Sequence, residues 1–253
     1  MILFLAGTKD AREVALALTR EGYKLLNCVV TEEAAANLRE QGLLVKVGRL
    51  SAEEIGELIV KNGITALIDA THPFAELASK NAIAGARQAG VPYLRYERQS
   101  ISYRGQEKLL FADSYQEAAE LARQLTGNIL LATGSKTLEI FTEHLADTPD
   151  VNLFIRLLPT SENIAKCQRL GLDKRQIIAM QGPFSYELNL AMFRHYQING
   201  LVTKETGTEG SLDEKVRAAT ALGITTIIIN RPKVDYPQVY STVEGLLEEL
   251  AEK

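Results

Sequence analysis

Short apolar runs alternate with amphipathic stretches along almost the entire chain, and this alternation restricts the fold more than any other feature. Strands joined through helices have to run parallel, because a parallel pair needs a crossover and the crossover is right-handed. Helices then cover both faces of the sheet, so its strands read as continuous apolar runs. The spacing predicts strands at 2–6, 23–30, 43–47, 66–69 and 91–96, with helices at 10–21, 32–41, 51–61 and 75–89. Ser51-Ala52-Glu53-Glu54 carries the Ser and Glu spacing of a capping box at the third helix. A polar segment at 99–106, containing Tyr103, Arg104 and Gly105, interrupts the pattern. The alternation restarts with strands at 109–112, 128–132, 151–157, 176–180, 200–203 and 225–229. Its helices are expected at 114–125, 137–145, 161–170, 184–196, 212–222 and 241–252. The expected fold is α/β, with two Rossmann-like doubly wound domains whose parallel sheets face an interdomain cleft, spanning 1–98 and 99–253.

Composition narrows the function classes. The 253 residues suffice for two ordinary domains, and 46% hydrophobic with 24% charged residues is ordinary for a globular protein. A net charge of −4 gives no support for nucleic-acid binding, so an anionic ligand would need a local basic pocket. No apolar run reaches membrane-spanning length. The opening Met-Ile-Leu-Phe-Leu-Ala-Gly reads as a first strand, not as a signal segment. Cys28 and Cys167 lie far apart without metal-ligand spacing. Cys28 falls in a strand pattern and is expected to be buried and inert. The absence of a disulfide framework fits a cytoplasmic setting.

Ligands of open α/β sheets bind outside the carboxyl ends of the strands, so the strand exits are where functional residues are sought. Asp69-Ala70-Thr71-His72-Pro73-Phe74 places an acid, a hydroxyl and an imidazole at one exit. The first exit, Gly7-Thr8-Lys9-Asp10-Ala11-Arg12, offers a small residue, a hydroxyl, two cations and a helix N-terminus, a combination suited to a nucleotide phosphate. A single glycine is also compatible with a plain tight turn. Thr31-Glu32-Glu33, after the second strand, stands where a ribose-binding acid is expected, although first-turn acids also favour a helix. Arg49, after the third strand, is placed for an adenosine 2′-phosphate or is a solvated charge. In the second half, Thr133-Gly134-Ser135-Lys136, Gln181-Gly182-Pro183-Phe184-Ser185 and Lys204-Glu205-Thr206-Gly207 follow strands, with Pro183 expected near a first helical position. With Arg156 and Arg231 at or past strand ends, these loops gather basic groups suited to a ligand with several carboxylates.

No nucleophile–base pair stands out, and HExxH, CxxC and GxSxG are absent. His144 and His195 fall inside helical stretches, as packing or surface residues. No metal site is expected. Hydride transfer fits, since the cofactor carries the reactive atom and the protein orients it. Two other classes share this architecture: a two-domain ligand sensor without catalysis, and a transferase using a nucleotide-like cofactor.

Asp69-Ala70-Thr71-His72-Pro73-Phe74-Ala75, Asn81-Ala82 and Gly90-Val91-Pro92-Tyr93-Leu94-Arg95 resemble the precorrin-6A reductases of corrin (vitamin B12) biosynthesis, including the cobalt-precorrin-6A branch. The likeness extends over nearly the whole chain. The opening is similar to that family's Gly-Gly-Thr-x-Glu-Ala-Arg turn, with Ala6 for the first Gly and Asp10 for the Glu. Gly182-Pro183-Phe184 and the stretch from Leu201 to Gly207 resemble its second-domain signatures, with Thr206 where Ser is usual. The resemblance implies NADPH- or NADH-dependent reduction of one carbon–carbon double bond in a carboxylate-rich tetrapyrrole. It further implies a cofactor-binding N-terminal domain and a substrate-binding C-terminal domain. The expected cofactor residues are Gly7, Thr8, Lys9, Arg12, Thr31, Arg49, Asp69, Thr71, His72 and Pro73. The expected substrate residues are Lys136, Arg156, Gly182, Pro183, Phe184, Lys204, Glu205, Thr206 and Gly207, with His72 and Lys204 as candidate proton donors.

Overall fold

The computed structural model describes residues 1–100, 107–207 and 212–252, so the expected break at Tyr103, Arg104 and Gly105 lies outside the described residues. The chain divides into two compact units, Met1–Gln99 with Pro232–Lys253, and Ser100–Arg231.

The first unit opens with β1 (Ile2–Ala6), α1 (Lys9–Arg20), β2 (Leu25–Val29), α2 (Glu32–Arg39) and β3 (Leu44–Val47). It continues through α3 (Ala52–Asn62), β4 (Ala66–Ala70), α4 (Glu76–Ala89) and β5 (Tyr93–Tyr96). Side chains alternate across each strand, so each parity of β1 meets its own helices. Ile2, Phe4 and Ala6 pack with Val14 and Leu18 of α1 and Ala35 and Leu38 of α2. Leu3 and Leu5 pack with Ile55 and Ile59 of α3 and Ala82 and Ala86 of α4. Both faces are thus dry, as continuous apolar strands require. The predicted capping box at Ser51 and Glu54 is formed. Gly85 lets α4 lie against α3, since a Cβ there would sit 2.6 Å from Ile55 Cγ2.

The second unit runs through β6 (Leu109–Ala112), α5 (Tyr115–Arg123), β7 (Gly127–Leu131), α6 (Leu138–His144), β8 (Val151–Leu157) and α7 (Ser161–Arg169). β9 (Ile177–Ala179), α8 (Tyr186–His195), β10 (Ile198–Lys204), α9 (Leu212–Ala221) and β11 (Thr225–Ile229) follow. Its sheet has the order β6-β11-β10-β7-β8-β9, with all pairs parallel. Helix α8 begins later than expected. Ser185 is its N-cap, accepting from Leu188 N–H, so Pro183 precedes the cap and does not occupy the first helical position.

The end of the chain departs from the expected 99–253 domain. After Pro232 it returns to the first unit, where β12 (Val239–Tyr240) pairs in parallel with Arg95 and Tyr96 of β5. Arg95 N–H donates to Gln238 O at 2.9 Å, and Glu97 N–H donates to Tyr240 O at 2.9 Å. The last helix, α10 (Val243–Ala251), buries Leu246 in the cluster of Ile2, Phe4 and Leu18. The first sheet therefore reads β12-β5-β4-β1-β2-β3, all parallel. A two-residue strand has no period to read, and an amphipathic helix does not state which sheet it covers.

Candidate functional site

In the first sheet the chain winds outward from β1 to β3 and then returns to the other side of β1 as β4. The exits of β1 and β4 consequently diverge at the switch point where open α/β sheets bind ligands. Gly7 leaves β1 there, in a backbone region open to any residue. Its requirement is close approach. A Cβ would meet the backbone of the β4 exit, 3.3 Å from His72 N and 3.4 Å from Thr71 Cα. The tight-turn alternative for Gly7 therefore gives way to packing of two strand exits. Thr8 is the N-cap of α1, and its hydroxyl accepts from Ala11 N–H at 3.3 Å. Lys9 is exposed and faces Glu13 at 3.8 Å, and Arg12 is half-buried. Asp10 is buried and ion-paired with Arg98 at 2.8 Å, which neutralises a carboxylate that would otherwise repel a phosphate at this helix end.

A buried polar network holds the β4 exit in place. Asp69 Oδ1 accepts from Thr71 N–H at 2.9 Å, Thr71 Oγ1 at 2.7 Å and Arg95 Nη1 at 3.0 Å. Its Oδ2 accepts from the Tyr93 hydroxyl at 2.7 Å. Asp69 and Arg95 are wholly buried. Burial, and then the Asp69 charge, push the Tyr93 hydroxyl up. Tyr236 completes the network, stacking on Tyr93 and lying 5.0 Å beneath the Arg95 guanidinium. The expectation that Asp69 lines a ligand site is corrected here. Its side chain has no solvent-facing surface, and its oxygens are used in fixing Thr71. Thr71 and His72 are half-buried. His72 Nδ1 accepts from Phe74 N–H at 3.1 Å, so a neutral ring carries its proton on Nε2.

The remaining first-unit candidates sit farther along the same edge. Thr31 caps α2 through Ala34 N–H, and Glu32 pairs with Arg39 at 2.9 Å on the surface. Arg49 is exposed after β3, with no ion pair among the described residues. Cys28 is buried as expected, and burial pushes its thiol up to about 12. His195 is exposed and His144 half-buried, with His144 Nδ1 2.7 Å from Ile140 O.

In the second sheet the switch point lies between β7 and β10. Lys136 follows β7, Arg156 ends β8 and Lys204 ends β10, so the parallel arrangement brings all three to one sheet edge. Lys136 is exposed and Lys204 half-buried, and burial followed by the Lys136 charge pulls the Lys204 amine down. Arg156 is buried. Its Nη1 donates to Asn189 Oδ1 at 2.8 Å, and its guanidinium stacks 4.1 Å from the Phe184 ring centre. Asn189 in turn donates to Phe184 O and Ser185 O, which ties the Gly182-Pro183-Phe184 loop to this arginine. Glu205 differs from its expected role. It pairs with Arg231 and accepts from Gly207 N–H at 3.0 Å, so these two residues brace the β10 exit. Thr206 Oγ1 is buried with no hydrogen-bond partner among the described residues.

Sequence reasoning missed Lys215. It sits in α9 with only 7% of its surface exposed, and its Nζ donates to Thr203 Oγ1 at 3.1 Å. Burial, then the charges of Arg156 and Lys204, pull its amine down to about 7. The signal was in the spacing. Leu212, Lys215, Val216 and Ala219 share one helical face, so Lys215 replaces an apolar residue on a core-facing stripe. A similar signal marked Arg95, a charge inside the apolar strand Tyr93-Leu94-Arg95-Tyr96.

The first switch point has the makings of a phosphate site. It joins an exposed glycine, a helix N-terminus with its local acid neutralised, and a rigid partner exit. Among the described residues no group of His, Cys, Asp and Glu is arranged to hold a metal ion. No helix in those residues is long and apolar enough to cross a membrane.

Comparison with known proteins agrees along the whole chain. The profile of the family described as "Precorrin-6x reductase CbiJ/CobK" matches residues 1–251. A cobalt-precorrin-6A reductase of Priestia megaterium is 47% identical, with 99% of this chain and 98% of that protein covered. The cobalt-precorrin-6A reductase of Methanothermobacter thermautotrophicus is 34% identical over 98% of this chain and 82% of its own length. The solved structure of a precorrin-6A reductase superposes with a TM-score of 0.82 at 25% identity, covering 99% of this chain and 96% of that one. The chain belongs to the precorrin-6x reductase family.

Proposed function

We propose that this protein reduces one carbon–carbon double bond of cobalt-precorrin-6A, using NADPH or NADH, in cobalamin biosynthesis. It is an oxidoreductase acting on a CH–CH bond of a tetrapyrrole, as its family membership implies. The cobalt-containing form is favoured because the more similar relatives carry that name. The observation that carries the reading is the contrast between the two switch points. The first offers backbone and a neutralised helix end, and the second gathers Lys136, Arg156, Lys204 and Lys215. A macrocycle rimmed by carboxylates matches the second, and a dinucleotide matches the first.

Reduced nicotinamide, when bound, supplies the hydride. The protein's own residues do the positioning. The Gly7 turn and the first amides of α1 hold phosphate, and Asp69 with Arg95 and Tyr93 fixes Thr71 and His72 beside it. Arg49 selects the 2′-phosphate of NADPH. The basic exits of the second unit orient the substrate's carboxylates, and the Lys204 ammonium, or His72 once its ring is protonated at Nδ1 with loss of the Phe74 contact, gives the proton to the carbon adjacent to the one that takes the hydride. The cytoplasm, where reduced nicotinamide is made, is its place.

Oxidation of NADPH and NADH on addition of cobalt-precorrin-6A or precorrin-6A tests the reading. Substrate-dependent loss of reduced nicotinamide is expected, with 6B-type product formed. Ligand binding without turnover would instead establish a sensor. Binding of S-adenosylmethionine but not of a nicotinamide cofactor would establish a transferase.

A further inference from the structure

Arg156 and Lys215 are cations set into the second unit with 5% and 7% of their surface exposed. Their partners are all neutral. Arg156 donates to Asn189 Oδ1 at 2.8 Å, approaches Met192 Sδ at 3.8 Å and lies over Phe184. Lys215 donates to Thr203 Oγ1 at 3.1 Å. Neither forms an ion pair among the described residues, and the charges nearest Lys215 are Arg156, Lys204 and the adjacent Glu214. Two of those three are cations. Taking a charge out of water without an opposite charge is costly, and like charges nearby add to the cost. Packing does not require this, because Lys215 occupies an apolar stripe that an apolar residue would fill.

Exposure falls in steps along this row of cations. Lys136 is exposed, Lys204 half-buried, and Arg156 and Lys215 buried. The row stands at the switch point of the sheet. It forms a gradient of positive charge leading inward, the form that concentrates and orients an anion.

We propose that Arg156 and Lys215 form a subsite for one carboxylate of the substrate, reached past Lys136 and Lys204. The substrate identity rests on the function proposed above, whereas the anion specificity rests on the cluster itself. A carboxylate here gives Arg156 a planar partner and Lys215 an opposite charge. It also restores the proton affinity of Lys215 that burial and the neighbouring Arg156 and Lys204 take away. Binding above neutral pH is therefore coupled to proton uptake.

The test uses the full chain and uroporphyrin, a porphyrin rimmed with acetates and propionates, titrated calorimetrically at about pH 8 in buffers of different ionisation enthalpy. The expected result is binding with proton uptake by the parent. Lys215→Met and Arg156→Gln should bind about tenfold more weakly or worse, as for loss of a charge-assisted contact. Lys215→Met should also take up fewer protons, and both variants should keep parental NADPH affinity. Inorganic phosphate, run in parallel, separates a general anion site from one selective for the carboxylated macrocycle; binding of phosphate in preference to the porphyrin overturns the carboxylate assignment. Equal porphyrin affinity and equal proton uptake in Lys215→Met and the parent overturn the subsite, as does failure of the parent to bind the porphyrin. If Lys215→Met fails to fold, Lys215→Gln and Arg156→Gln carry the comparison. Substrate-dependent NADPH oxidation by the parent separates the two ideas. Turnover with an indifferent Lys215→Met removes only the subsite, and Lys215-dependent porphyrin binding without turnover removes only the reductase reading.

Discussion

Replacing Lys215 by methionine should make the protein more stable at neutral pH. The side chain is of similar length, so the α9 stripe stays filled while the buried charge disappears. The folded state holds the amine at about 7 against an ordinary 10.5. At about 1.36 kcal/mol for each pH unit, that costs the folded state on the order of 5 kcal/mol at pH 7 and below. Leaving Thr203 Oγ1 without its donor returns about 1–3 kcal/mol of this. A net gain of about 2–4 kcal/mol remains. The sign is set by proton binding. Because the folded value lies below the unfolded one, the unfolded chain binds more protons between about 7 and 10.5, and parental stability rises with pH across that window. Arg156, Lys204 and Glu214, the charged groups facing Lys215, remain in the variant. Its advantage should therefore shrink as pH rises and approach the Thr203 penalty near the top of the window. Urea titrations followed by circular dichroism at several pH values between about 6 and 9.5 measure this directly. A variant less stable than the parent at neutral pH, or an advantage that does not change with pH, would refute an uncompensated buried charge.

Four other substitutions address the remaining assignments. Asp69→Asn removes one of the two carboxylates paired with buried Arg95, Glu97 remaining at 3.6 Å, and should lower stability by about 1.5–3 kcal/mol, the scale of a hydrogen bond to a charged group, read from the urea midpoint; a loss within the error of measurement would show that the network is not what holds the β4 exit. Gly7→Val places its side chain against the Thr71–His72 backbone, so NADPH affinity should fall by well over tenfold at a stability cost of about 1–3 kcal/mol, and unchanged affinity in calorimetry removes the phosphate assignment. Arg49→Ala should cost about 1.5–3 kcal/mol of NADPH affinity and leave NADH unaffected, while equal losses would show a contact that both cofactors share. Lys136→Ala should raise the substrate KM about tenfold, and the parental KM should itself rise with salt because exposed charges are screened; a KM indifferent to salt would place substrate capture elsewhere.

The alternation of apolar runs and amphipathic stretches was enough to determine two parallel-sheet α/β halves, because helix and strand periods are local and parallel strands need crossovers. It also located the strand exits, and with them Gly7, Thr71 and His72 in the first sheet and Arg156 and Lys204 in the second, because a parallel sheet puts its own exits along one edge. The specific chemistry came from the motif around Asp69, whose resemblance named a substrate that periodicity could not. What each polar residue does there was decided by tertiary structure. Asp69 looked like a ligand contact and is an internal brace, since Tyr93 and Arg95 lie one strand away and far along the chain. Glu205 and Arg231 neutralise each other across neighbouring strands. The last residues belong to the first sheet because Val239 and Tyr240 find the open edge of β5, a pairing with no local signature. Lys215 was visible as a lysine on an apolar stripe, but its cationic neighbours Arg156 and Lys204 come from β8 and β10. Local pattern specifies which elements form and where they end. Which charges meet depends on contacts between strands distant in sequence, and burial then determines how much each meeting is worth.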